Sequence, residues 1–232
     1  MSASVDRLLE VVAALRTHCL WTAGLTHASL VEYLVEEAYE LVESIEERHP
    51  DAELKGELAD VLLQVVLHAS IAEGRGAFGF DAVADALTDK LVRRNTHVFT
   101  PSGGLRGSFP ATVGEVIASW DAAKRAERPE RTDPFQGLPR HLPALALADK
   151  AIERAGRWPG ADSWPGAKAG ADDGSTAADP RTEEDPRTEE ELGALLLDTV
   201  RRAHARGLDA ERALRAAVAR YTDEDWRASR AP

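Results

Sequence analysis

A single cysteine, Cys19, stands in 232 residues, so no intrachain disulfide can form. A chain without disulfides points to a reducing compartment. The N-terminus lacks the charged-then-apolar order of a secretion signal, and no apolar run approaches the ~20 residues that a membrane span requires. A cytoplasmic protein is therefore expected. Positive charge is also scarce: 28 Lys and Arg face 40 Asp and Glu, a net charge of −12. That balance disfavours nonspecific contact with nucleic acid or an anionic membrane, so neither is expected as a partner. Any polyanionic ligand would need a local basic patch. The 44% hydrophobic content is ordinary for a globular chain with room for one core or two small ones.

What is present in quantity is acid, and two groups of it are spaced for helices. Glu36-Glu37-Ala-Tyr-Glu40 and Glu57-Leu-Ala-Asp60 each place two carboxylates three residues apart, on one helix face. Each pair interrupts an apolar stripe: Leu34, Ala38, Leu41 and Ile45 around the first, Leu54, Leu58, Val61, Leu62 and Val65 around the second. On that pattern the acids are aimed inward. Inward carboxylates are costly unless paired, protonated or bound to a cation, and four that converge cannot all ionise without compensation. An oxygen-only set favours a hard cation, Mg2+ or Mn2+. The competing reading is a solvated helix face, where the same spacings are common.

Taken in order, residues 4–18 read as an amphipathic helix and 20–28 as a loop. The Ser29-Leu-Val-Glu32 capping box then opens a second helix that runs to about Arg48. His49-Pro50 stops it, and Asp51 caps a third helix reaching Glu73, where Gly74 and Gly76 end it. The short connection makes the two helices antiparallel, setting Glu37 and Glu40 opposite Glu57 and Asp60. Asp81 is the expected cap of a further helix from Ala82 to about Arg94, whose far end carries Lys90, Arg93 and Arg94. Cations at a helix C-terminus are ordinary, yet three together in an acidic chain suit a phosphate ligand. His18, Cys19 and His27 lack the paired spacing of a zinc site. Glu46-Glu-Arg-His49 matches half of a di-iron motif but has no twin.

Four stretches in this order, Thr26-His27-Ala-Ser29-Leu30, Tyr33 to Glu40, Glu57 to Ala69 and Lys90 to Phe99, give the chain from about Leu8 to Phe99 a resemblance to the MazG family of nucleoside triphosphate pyrophosphohydrolases. The resemblance implies an all-α antiparallel helical bundle that hydrolyses nucleoside triphosphates to monophosphate and pyrophosphate. It puts Mg2+ on Glu37, Glu40, Glu57 and Asp60, the outgoing pyrophosphate on Lys90, Arg93 and Arg94, and a homodimer around the site. Glu36 is the spare acid: a general base for water, a further metal ligand or a solvated residue. His68 reads as a hydrogen-bonded structural histidine. The sequence departs from the family at Cys19-Leu20-Trp21-Thr22 and Leu25-Thr26-His27, where Cys-Pro-Trp-Asp and Gln-Thr-His are usual, and at Arg94-Asn95-Thr96-His97, where His-Pro-His is more common. The preferred base is left open. Nucleotide-pool house-cleaning is the expected role. The rivals are a helical interaction module whose sites have lapsed, and a pyrophosphatase narrow for one nucleotide.

Beyond the first hundred residues the composition changes. Phe109 to Glu130 reads as a connecting helix containing Trp120, and a second helical stretch begins near Leu138. Residues 158–190 are rich in Gly, Ala, Asp and Pro and repeat Asp-Pro-Arg-Thr-Glu-Glu in tandem, the composition of a disordered linker. Glu191-Leu-Gly-Ala194 parallels Glu57-Leu-Ala-Asp60 with the aspartate missing. The expected organisation is therefore a catalytic domain over 1–100, connecting helices over 101–157, the linker, and a degenerate second copy over 191–232.

Overall fold

The computed structural model describes residues 3–158 and 186–228, with side chains as far as 222. The first Asp-Pro-Arg-Thr-Glu-Glu copy and most of the expected linker, like the Trp226 side chain, lie outside the described residues; of the second copy, Pro186 to Glu190 are described, and a helix already begins at Glu189. Among the described residues there are nine helices and no strand, the all-α antiparallel bundle that was expected. Only an isolated bridge joins Phe99 to Leu105. No described helix is long and apolar enough to cross a membrane.

The chain divides into two compact units, Met1–Glu127 and Arg128–Pro232. The first contains α1 (Ala3–His18), the single turn α2 (Leu20–Ala23), α3 (Val31–Glu46), α4 (Asp51–Glu73), α5 (Phe80–Arg94) and α6 (Val113–Ala126). Its core is built from Val12 of α1, Leu25 and Leu30 of the following loop, and Val66, Leu67 and Ile71 from the second half of α4. Leu8, Leu9, Tyr33, Leu63 and Phe80 pack around them. Arg16 fastens the loop by donating to the Thr22 and Leu25 carbonyls. The second unit contains α7 (Ala144–Gly156), α8 (Glu189–Ala205) and α9 (Ala210–Ala228), with Val200 fully buried.

Helix boundaries correct the sequence reading in physical detail. The Ser29 capping box does not form, because Ser29 is engaged one turn earlier. The Thr26 N–H donates to Ser29 Oγ at 2.9 Å and the Ser29 N–H to Thr26 Oγ1 at 3.1 Å. Buried Leu30 is the N-cap of α3, with no side-chain cap. That helix ends at Glu46 rather than Arg48: Arg48 turns left-handed at φ 58°, and the His49 N–H reaches the Ser44 carbonyl at 2.9 Å, closing a Schellman motif. Asp51 and Asp81 are acids of the first helical turns, where they favour the helix dipole; Pro50 and Gly79 hold the cap positions. The 109–130 helix is shorter, set by a Thr112/Glu115 capping box that the sequence carries as T-x-x-E.

A candidate metal centre between two antiparallel helices

Helices α3 and α4 pack against each other along their length, joined by the His49-Pro50 turn. Residues equally distant from the turn meet, which brings Glu40 to Glu57 and Glu37 to Asp60. One carboxylate oxygen from each of Glu37, Glu40 and Glu57 lies within 4.8 Å of the other two. Glu37 and Glu57 are half-buried and Glu40 is exposed. Asp60 stands outside that three-membered group, yet near enough to act on it: burial pushes the Glu37 carboxyl up, and the charges of Asp60, Glu40 and Glu36 push it further. A hydrogen bond between Glu37 and Glu40 adds to the effect. A divalent cation among these acids would relieve the repulsion that raises Glu37. The donor set is oxygen alone, and it fits a hard divalent ion. Glu36 is exposed at the edge of the group.

The stripes around the acids are not buried, contrary to the inward-facing expectation. Ile45 is 57% exposed and Leu58 52%, and Leu34, Leu62 and Val65 are also exposed. The core lies farther along α4, against α1. Helical periodicity marks a face that needs a cover, without saying whether this chain supplies it.

The basic end of α5 separates into two parts. Lys90 is exposed. Arg93 and Arg94 are drawn instead onto Glu127, which follows α6: Arg93 Nε donates to it at 2.7 Å, while Arg94 donates from Nε at 3.0 Å and Nη2 at 2.6 Å. Hydrogen bonds from Arg94 above all, with those from Arg93, hold the Glu127 carboxyl down at about 2 against the burial that pushes it up. Trp120, read from sequence only as a residue inside a connecting helix, has the Arg94 guanidinium 5.7 Å and the Lys124 ammonium 4.9 Å from its ring centre. Among the described residues no hydrogen bond or ion pair links Lys90, Arg93 or Arg94 to the acids of α3 and α4.

A histidine pair was also missed as a pair. Arg75 Nη2 lies 2.8 Å from His27 Nε2, and His27 Nδ1 lies 2.7 Å from His68 Nδ1. A guanidinium only donates, so His27 Nε2 accepts and its proton is on Nδ1, facing His68. Burial, then the neighbouring His27, lower the pKa of His68, in keeping with a neutral acceptor ring. These contacts bridge 41 and 48 residues, beyond the reach of any local motif.

The MazG nucleotide pyrophosphohydrolase domain matches residues 25–99, the span that holds the four acids and the basic end of α5. A 26.1 kDa protein of Streptomyces cacaoi is 38% identical over 218 residues, 93% of this chain and 78% of that one. A nucleoside triphosphate pyrophosphohydrolase of Escherichia coli is 37% identical over 155 residues, 65% of this chain and 56% of that one. One of Mycobacterium tuberculosis is 39% identical, again over 155 residues, with 45% of its length covered. The chain thus spans about half the length of these two named pyrophosphohydrolases. A crystal structure of a mazG-related protein from Thermotoga maritima aligns over 52% of this chain at 21% identity and a TM-score of 0.44. Over residues 25–99 the chain belongs to the MazG family of nucleotide pyrophosphohydrolases.

Proposed function

We propose that this chain hydrolyses nucleoside triphosphates to the monophosphate and pyrophosphate, with Mg2+, or Mn2+ in its place, held by Glu37, Glu40, Glu57 and Asp60. The observation that carries the reading is the convergence of three carboxylates within 4.8 Å, with the Glu37 carboxyl pushed up by its neighbours. The cation would neutralise charge on the triphosphate as the bond from the α phosphorus to the oxygen bridging it to the β phosphorus breaks, that oxygen leaving with pyrophosphate. Glu36, exposed beside that group, would take a proton from the attacking water. Lys90, Arg93 and Arg94 would hold the departing pyrophosphate, and for the two arginines this means exchanging the Glu127 carboxylate for phosphate oxygens. The names of the relatives support the substrate class. Removal of non-standard nucleotides from the precursor pool would be the corresponding cellular role.

The exposed stripe of Leu34, Ile45, Leu58, Leu62 and Val65 supports a homodimer in which a second copy covers the face beside the acids. Calorimetric titration of Mg2+ and Mn2+ into the chelator-treated chain tests the metal site. Saturable binding that is lost in Glu37→Gln and Glu57→Gln is the expected result. Binding indifferent to both substitutions would refute the site and favour a helical interaction module whose acids are surface charge.

A further inference from the structure

In the second unit, the segment before α7 folds into a tight turn. Asp133 Oδ1 accepts from the backbone N–H groups of Phe135 at 2.7 Å and Gln136 at 3.0 Å, and Gly137 follows at φ 70°. Three guanidinium groups gather around the Gln136–Gly137 peptide. Arg154 of α7 donates from Nη1 to the Gln136 carbonyl at 3.3 Å. A β-carbon at Gly137 would lie 2.9 Å from Arg131 Nη2 and 3.7 Å from Arg128 Nη1, so both cations crowd the face that the glycine leaves open. Glycine serves twice here, by its left-handed φ and by its missing side chain.

The nearby acids are engaged elsewhere. Asp133 holds the turn, Asp149 faces His204, and Glu153 bridges Lys150 and Arg157. Among the described residues no ion pair engages Arg128 or Arg131, and Arg154 Nε is buried without a hydrogen-bond partner. Burial, followed by the charges of Arg131 and Arg128, weakens the hold of Arg154 on its proton, while Glu153 partly opposes them. Converging like charges repel unless an anion sits among them. A guanidinium presents its N–H groups as a planar fork whose natural complement is a phosphate or carboxylate. A chain of net charge −12 has carboxylates in excess, yet none of those described closes this cluster.

We propose that Arg128, Arg131 and Arg154 form a binding site for a phosphate group at the Gln136–Gly137 turn, one that plays no part in the hydrolytic chemistry of α3 and α4. The inference does not rest on the hydrolase reading. Its ligand is either free phosphate or the phosphate of a nucleotide.

The test is calorimetric titration of inorganic phosphate, and separately of adenosine monophosphate, into the full chain at low ionic strength with EDTA. Saturable binding is expected, weakened about tenfold in Arg128→Gln and in Arg131→Gln. Arg131→Lys, which keeps the charge but not the fork, should fall between. Arg93→Gln reports on the basic end of α5 and should leave this binding unchanged. Arg128 is exposed, so its variant should keep the helical circular dichroism of the parent. Tighter binding of the monophosphate would make the ligand a nucleotide, and equal binding would make it free phosphate; either supports the site. Absence of binding, equal binding by parent and both glutamine variants, or loss on Arg93→Gln alone would overturn it.

Discussion

At the scale of the residue, the chemistry turns on carboxylates whose neighbours decide their protonation. The Glu37 carboxyl is raised by burial and by surrounding acids, so the folded chain holds a proton there that the unfolded chain releases. Without a divalent cation, stability should decline as pH rises from the ordinary carboxylate range through that raised value. Added Mg2+ should remove the decline, and Glu37→Gln should abolish it. Thermal unfolding from pH 4 to 8, with and without the ion, checks both. Glu127 behaves in the opposite sense. Its stabilising contribution is present above the ordinary value of 4.5 and is lost as pH falls through about 2. Water screens much of the pairing, so Glu127→Gln should cost about 1 kcal/mol at neutral pH. A urea midpoint that does not move would show the pair to be idle. If phosphate displaces Glu127, the same variant should lower the apparent KM for nucleotide.

At the scale of the element, α3 and α4 were legible because their spacing and connecting turn obey local rules. The three-residue separation of the acids and the Pro50 stop were enough to place Glu37 and Glu40 across from Glu57 and Asp60. Other features depended on competition that a local pattern does not reveal. Ser29 satisfies the textual rule for a capping box, yet the Thr26 side chain and backbone take its hydrogen bonds first. The engagement of Arg93 and Arg94 by Glu127 spans more than thirty residues, and nothing in the spacing of either segment announces it. At the end of α3, Arg48 occupies a left-handed position that costs a side chain about 1 kcal/mol. Arg48→Gly should therefore stabilise the chain by about 0.5 kcal/mol, part of the gain being offset by the freer unfolded chain. Chemical denaturation checks it, and a destabilised variant would mean that the Arg48 side chain contributes more than its strain. In α8, Glu191, which the sequence reading set parallel to Glu57, lies in the first turn of its helix. Glu191 accepts from the Arg187 and Thr188 N–H groups as half of a capping box. A carboxylate used as a cap is poorly placed to join a cation cage.

At the scale of the whole molecule, the core of the first unit lies at one end of α4 and the acids lie beside an uncovered apolar stripe. A sequence period cannot distinguish a face made for the core from one made for a partner. A second copy is the proposed cover. Sedimentation equilibrium should give a dimer, and Leu58→Glu with Leu62→Glu should yield a folded monomer with little hydrolytic activity. Full activity in such a monomer would separate the stripe from the site.

Attack of water at the α phosphorus is tested by hydrolysis of a panel of ribo- and deoxynucleoside triphosphates in isotopically labelled water, with Mg2+ or EDTA, beside Glu40→Gln. Monophosphate and pyrophosphate are expected, with the label in the monophosphate, and a loss of at least about a hundredfold on chelation or substitution. Release of single phosphate would contradict attack at the α phosphorus, and the absence of turnover by well-folded chain would contradict the hydrolase reading itself.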